Sequence, residues 1–147
     1  MLKHYRFGLD PWGLVLFLVT MIPTFIWLAV PAPNDILRAE SITPTVDAIG
    51  FVLQMLFVAI ICLVVRKDRT RNSILIIATT ACVILYFVGW VLYYLGVTSP
   101  AVLLLLSLPP CLAFIFYAGA RRNLIALIPS IGFTICHMIY TSVNFII

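Results

Sequence analysis

Charge is scarce in this chain and acid is scarcer: 10% of the 147 residues are charged, and only five are Asp or Glu. That scarcity, with 64% hydrophobic residues and a mean hydropathy of +1.19, excludes an ordinary soluble domain. A water-soluble fold of this length cannot hide such a run of apolar segments in one small core. The sequence has no basic stripe with interleaved exposed aromatics, so its net charge of +4 is not a nucleic-acid footprint. Anionic lipid headgroups are the nearer partner for basic residues that flank apolar spans. There is no Cys-x-x-Cys pair, no His/Cys/carboxylate spacing that suits a metal, and no catalytic or cofactor motif, so no metal, cofactor or catalytic residue is expected. The four cysteines, Cys62, Cys82, Cys111 and Cys136, fall inside apolar segments and read as small, reduced packing residues.

What is present is long apolar runs. Eight of the nine Lys and Arg residues lie in three patches, Lys3/Arg6, Arg66/Lys67/Arg69/Arg71 and Arg121/Arg122, which alternate with five apolar runs. The spans predicted are 11–30, 44–65, 73–96, 100–118 and 124–147, each long enough at about 1.5 Å per residue to cross a core of about 30 Å. Helix starts are marked independently of hydropathy. Asp10-Pro11, Thr43-Pro44 and Ser99-Pro100 place a capping side chain before a proline at the first helical position, and Asn72 and Asn123 can cap the other two. The expected fold is therefore an all-α integral membrane protein: one domain, a bundle of five transmembrane helices, several of them proline-kinked. Basic loops on one side give an N-in, C-out topology. The first span is longer than the about 7 to 15 residues of a signal h-region and carries Trp27 and Pro31 where small residues are wanted, so it reads as a retained helix.

Tight connections predict that consecutive helices are antiparallel neighbours. The outer segment 31–43 is longer. Pro33-Asn34-Asp35 is turn chemistry, and Asp35 is placed to cap a short turn that lays Ile36 and Leu37 on the membrane interface. The segment is either a simple connection or a lid.

Polar residues within the spans fall into stripes. Ser130, Thr134, His137, Thr141 and Asn144 share one face of the fifth helix. Thr79, Cys82, Tyr86, Gly89 and Tyr93 do so on the third, and Thr20, Thr24 and Trp27 on the first. Ser107 and Cys111 on the fourth and Asp47 and Gln54 on the second complete the set. Hydroxyl and small residues of this kind commonly serve only helix packing. Asp47, Gln54, His137 and Asn144 are costlier at membrane depth, about 2.5–3.5 kcal/mol for an Asp at a helix centre. Counted along the helices, Asp47 lies about 6 Å and Gln54 about 16 Å below the outer boundary, with His137 between them in depth. The expected ligand-binding site is a polar cup in the outer half of the bilayer, made of His137, Asp47, Gln54, Asn144, Thr141, Tyr86, Trp27 and Thr24.

Structural readings stand beside it. Asp47 suits the positive end of a helix dipole, and His137 suits a hydrogen-bonded core histidine as well as a titrating or ligand-contacting one. Tyr86, Tyr93, Tyr94 and Tyr140 suit an aromatic belt better than a cation cage. Pro23, Pro109-Pro110 and Pro129 free carbonyls that Thr20, Thr24, Ser107, Cys111 and Ser130 can compensate. An echo between 48–55 and 130–137 has the form of an inverted repeat, as found in transporters. In size and span count the chain is similar to the tryptophan-rich sensory (translocator) proteins, a group associated with porphyrin and lipid ligands. It has only Trp12, Trp27 and Trp90 and lacks that group's dense Trp/Pro motif, so the similarity carries no residue roles. Three function classes remain: a binding or transport protein for a small molecule or ion, complete alone or as a homo-oligomer; an accessory subunit of a larger membrane complex; and an intramembrane enzyme, which would need a base partner that His137 lacks unless Asp47 supplies it. The absence of a long tail, a targeting peptide or an Asn-x-Ser/Thr site fits a bacterial cytoplasmic membrane.

Overall fold

The computed structural model describes residues 4–67 and 72–147; Lys3, Arg69 and Arg71 of the basic patches lie outside them. Five helices are long and apolar enough to cross a membrane: α1 (Pro11–Ala29), α2 (Pro44–Leu63), α3 (Ser73–Tyr94), α4 (Pro100–Ala120) and α5 (Leu124–Thr141), the last prolonged by a π-helical turn over Ser142–Ile146. The chain is thus a multi-pass membrane protein by length and composition. Every predicted span has its helix. The second stops early, because the β-branched Val64 and Val65 enter a strand. Residues Tyr5–Phe7 (β1) and Val64–Arg66 (β2) pair antiparallel, with Tyr5 opposite Arg66. The fold is otherwise all-helical, as expected, and this small ribbon ties residues 5–7 to the end of α2.

Three of the five expected caps form. Asp10 accepts from the Trp12 and Gly13 amides, Asn72 from Ile74 and Asn123 from Ala126. Thr43 and Ser99 make no capping bond. Thr43 loses that role because its hydroxyl is drawn into contacts with Asp47 and Asn144. Helices α1, α4 and α5 run unbroken through Pro23, Pro109-Pro110 and Pro129. Nearby hydroxyls bond to carbonyls of their own helices: Thr20 to Leu16 and Phe17, Ser107 to Leu103, Ser130 to Ala126.

Neighbourhood in the bundle departs from chain order. Helix α4 packs on both α3 and α5, and α2 packs on α5 rather than on α3. Helix α1 touches α2 and α3 more thinly. The reason is legible in the side chains: α4 is buried over most of its length, whereas each other helix turns one stripe inward and the rest outward. Two apolar clusters fill the interior. Phe57, Ile61, Phe114, Tyr117 and Ala126 form one, and Tyr86, Trp90, Tyr93, Leu103 and Leu106 the other.

Close approach of α3 to α4 depends on Gly89. A Cβ there would stand 2.9 Å from Leu105 Cβ and 3.2 Å from the Leu105 carbonyl carbon. Gly89→Ala is expected to cost about 1–3 kcal/mol through overpacking. The readout is unmasking of the buried thiols of Cys62, Cys82 and Cys111 by a thiol-reactive dye during heating. An unchanged midpoint would mean that α3 and α4 have room to spare.

The helix ends sort into two groups. Arg6, Arg66, Lys67, Arg121 and Arg122 mark the basic end, where the starts of α1, α3 and α5 meet the ends of α2 and α4 through Asp10 N–H to Cys62 O, Asn72 N–H to Ala120 O and Asn123 Nδ2 to Val64 O. Asp10 is the buried centre of this end, 3% exposed, and its Oδ2 accepts from Tyr117 at 2.9 Å and from Arg121 Nε at 3.0 Å. The far end carries segment 30–43.

Candidate functional site

At the far end, segment 30–43 folds down onto α1 and α3. Its short 3-10 turn, Ile36–Arg38, lies where the turn chemistry put it, but the Asp35 carboxylate does not cap it. Instead Trp27 Nε1 donates to both carboxylate oxygens at 2.8 and 3.0 Å, Tyr93 donates to Oδ1 at 3.0 Å and Arg38 Nε to Oδ2 at 2.7 Å. Burial pushes the Asp35 carboxyl upward, and these donors together more than reverse that, leaving its pKa below the ordinary value of 3.8. Around this hub the Arg38 guanidinium sits 5.0 Å from the Trp27 ring centroid and donates to the Trp27 carbonyl. Tyr94 donates to the Val30 carbonyl at 2.7 Å, and Asn34 donates to the Gly96 carbonyl at 3.0 Å. Ile36 and Leu37 pack against the Tyr86/Trp90/Tyr93 cluster.

Beneath the segment is an aromatic box. Trp90 stands 6.4 Å from Trp27, 6.3 Å from Tyr86, 5.8 Å from Tyr93 and 6.1 Å from Tyr94, ring centre to ring centre. The Tyr86 hydroxyl donates to the Thr20 carbonyl at 3.2 Å and lies 3.4 Å from Thr24 Oγ1. Tyr86 and Tyr93 are buried, 5% and 0% exposed, so they belong to the core and not to a lipid-facing belt. Trp90 Nε1 is buried and completes no well-formed hydrogen bond among the described residues, the Tyr86 hydroxyl being the oxygen it acts on. A cleft of about 350 Å³ opens beside the same indole, between Pro23 and Ile26 of α1 and Phe87, Val91 and Tyr94 of α3.

The eight residues expected to form one cup fall into two groups and an outlier. Trp27, Thr24 and Tyr86 come together in the aromatic box. Asp47, Asn144 and His137 come together where α2 begins and α5 ends. There Asn144 accepts from the Ile42 amide at 2.7 Å and donates to Thr43 Oγ1 at 2.8 Å and to the Tyr140 carbonyl at 2.9 Å. Asp47 receives the Thr43 hydroxyl at 3.5 Å and acts electrostatically on His137. The His137 ring is stacked between Phe133 and Tyr140 of its own helix, and no hydrogen bond to it forms among the described residues. Thr141 is buried near this group, and Gln54 is half-buried with no hydrogen bond to any other residue of the set. Between the two groups, Leu103 and Leu106 of α4 pack with Phe145 and Ile146, so apolar side chains occupy the middle of the far end.

Sequence reasoning gave Trp90 no role and gave Asp35 only that of a turn cap. Trp90 flanks the inward stripe Thr79, Cys82, Tyr86, Gly89 and Tyr93, all of which are buried. A tryptophan beside such a stripe was the available signal. Arg38 and Trp27 are three and eight residues from Asp35, but the Tyr93 contact has no local signal, because it lies 58 residues away.

Compared with family models, with curated proteins and with solved structures, the chain finds no match.

Proposed function

We propose that this chain binds a small, flat, largely apolar molecule in the cleft between α1 and α3, in the half of the bilayer away from its basic end. The observation that carries the reading is the Trp90 indole N–H, buried with no well-formed hydrogen bond in the wall of an aromatic box that a pinned surface segment covers. A ligand bearing a carbonyl, ether or ring-nitrogen acceptor completes that bond, and aromatic walls of this composition are typical of small-molecule sites. Asp35 and Arg38 neutralise each other above the box, so the favoured ligand is uncharged. Segment 30–43 roofs the aromatic box, while the cleft itself opens sideways between α1 and α3, so the ligand enters from that flank. Basic residues gathered at one end support an orientation with that end in the cytoplasm. The ligand then enters from the opposite leaflet.

Native mass spectrometry of protein gently extracted from membranes tests this. A reproducible non-lipid adduct is expected, its occupancy reduced about tenfold by Trp90→Phe, which keeps the ring and removes the donor. Trp12→Phe, an exposed position at the other end, leaves it unchanged. An adduct indifferent to Trp90→Phe would sink the assignment, and release with a larger protein and no adduct would favour an accessory subunit.

A further inference from the structure

A second cleft, about 520 Å³, lies at the basic end, on the flank of the α2–α5 pair. Its depth is aliphatic, lined by Leu56 and Ile60 of α2 and by Ile125, Ile128 and Pro129 of α5. Its rim is His4, Tyr5 and Arg66. The β1–β2 ribbon builds this rim. Tyr5 and Arg66 are cross-strand partners, so their side chains leave the same face of the ribbon. The Lys67 amide holds the His4 carbonyl. The Tyr5 hydroxyl donates to the Arg122 carbonyl at 3.1 Å and accepts from the Leu124 amide at 3.2 Å, which fastens the ribbon to the first turn of α5.

The cleft opens sideways. Leu56 is 48% exposed and Ile128 76% exposed, on surfaces that face acyl chains once the five helices span a bilayer. A ligand must then match an apolar slot running along the helices and a cationic, hydrogen-bonding rim at headgroup depth. Basic pockets between helix ends suit anionic lipid headgroups. From this charge complementarity we infer that the cleft is a binding site for one two-chain anionic phospholipid of the leaflet at the basic end. One acyl chain lies against Ile60 and Ile128, and the phosphodiester sits at Arg66 and His4, on a ribbon that Tyr5 holds in place. A soluble phosphate would meet the rim but leave the slot empty. The site is at the opposite end from the aromatic box and stands whether or not that box binds anything.

The test uses the whole chain in nanodiscs of phosphatidylglycerol and phosphatidylcholine mixed one to one, followed by release into the mass spectrometer. The wild type is expected to retain one phosphatidylglycerol in preference to phosphatidylcholine. Arg66→Gln should reduce that preference about fivefold, the worth of roughly one cationic side chain at an anionic surface. Ile128→Trp, which fills the slot from an exposed position without changing charge, should lower retention of either lipid. Millimolar inorganic phosphate should not displace the lipid. His4→Gln provides a second rim variant at an exposed residue if Arg66→Gln folds poorly. Equal retention of the two lipids by the wild type, unchanged retention in the folded rim and slot variants, or displacement by phosphate alone overturns the proposal.

Discussion

Asp10→Ala is expected to be the most destabilising substitution in the chain. It removes the carboxylate that caps α1 and leaves Arg121, whose side chain is 28% exposed, beside a vacated and otherwise buried position. Breaking a buried pair costs about 3–5 kcal/mol, and the partial exposure of the guanidinium puts this case near the lower figure. Loss of the cap adds about 1 kcal/mol. Asp10→Asn keeps an acceptor for the Trp12 and Gly13 amides but not the charge, so it should fall between the wild type and Asp10→Ala. Pairing Asp10→Asn with Arg121→Gln should recover part of the loss, because the double variant no longer holds an uncompensated charge. Dye labelling of the buried cysteines on heating, or unfolding in increasing mole fractions of SDS, gives the ranking. If the double variant is as damaged as the sum of the singles, the pair does not act as a unit.

The second large effect is expected at Asp35. Its bond to Arg38 adds little, since that side chain is 44% exposed and solvent screens the pair. The weight lies on the donors from Trp27 and Tyr93, each charge-assisted and each worth about 1.5–3 kcal/mol. Asp35→Asn should loosen segment 30–43 by about 3 kcal/mol, which corresponds to roughly hundredfold faster amide exchange there. Hydrogen–deuterium exchange of the peptide containing Leu37 and Ala39 reads this directly. The pH dependence follows in sign. The folded carboxyl has its pKa below the ordinary value of 3.8, so its contribution is complete above that value and is lost as pH falls through the lower, folded one. Docking of the segment should therefore be independent of pH from neutrality down to about pH 5 and weaken only in strong acid. Asp35→Asn should remove that acid dependence. Release of the segment near pH 6, or an Asn variant that exchanges like the wild type, would show that Asp35 is not the hub.

Both positions illustrate how far side-chain chemistry reads through from sequence. Asp10 was legible as a cap because Asp-Pro before an apolar run is a local signal. Its second role, receiving Tyr117 and Arg121 from more than a hundred residues away, was not. Asp35 was legible as a turn residue, while its partners Trp27 and Tyr93 come from two helices whose adjacency no local pattern encodes. The polar stripes were correctly inward on α3, where all five named residues are buried, since helical periodicity alone decides that. The stripes could not say which helix each would meet. That is why Trp27, Thr24 and Tyr86 on one side, and Asp47, His137 and Asn144 on the other, came out as two groups and not one cup.

The sequence by itself determined five membrane-length helices, the places where they start, and the gathering of basic residues at one end. These are consequences of apolar run length, proline and cap chemistry, and charge placement, all of which act within a turn or two of chain. Tertiary structure alone decided that α2 lies against α5, that α4 is the buried helix, that a ribbon closes the basic end, and that segment 30–43 is pinned over Trp90. Helices of nearly uniform hydropathy pack by shape, through Gly89 against Leu105 and through single polar bonds such as Tyr93 to Asp35, and complementarity of shape is a property of two surfaces that a linear pattern does not hold.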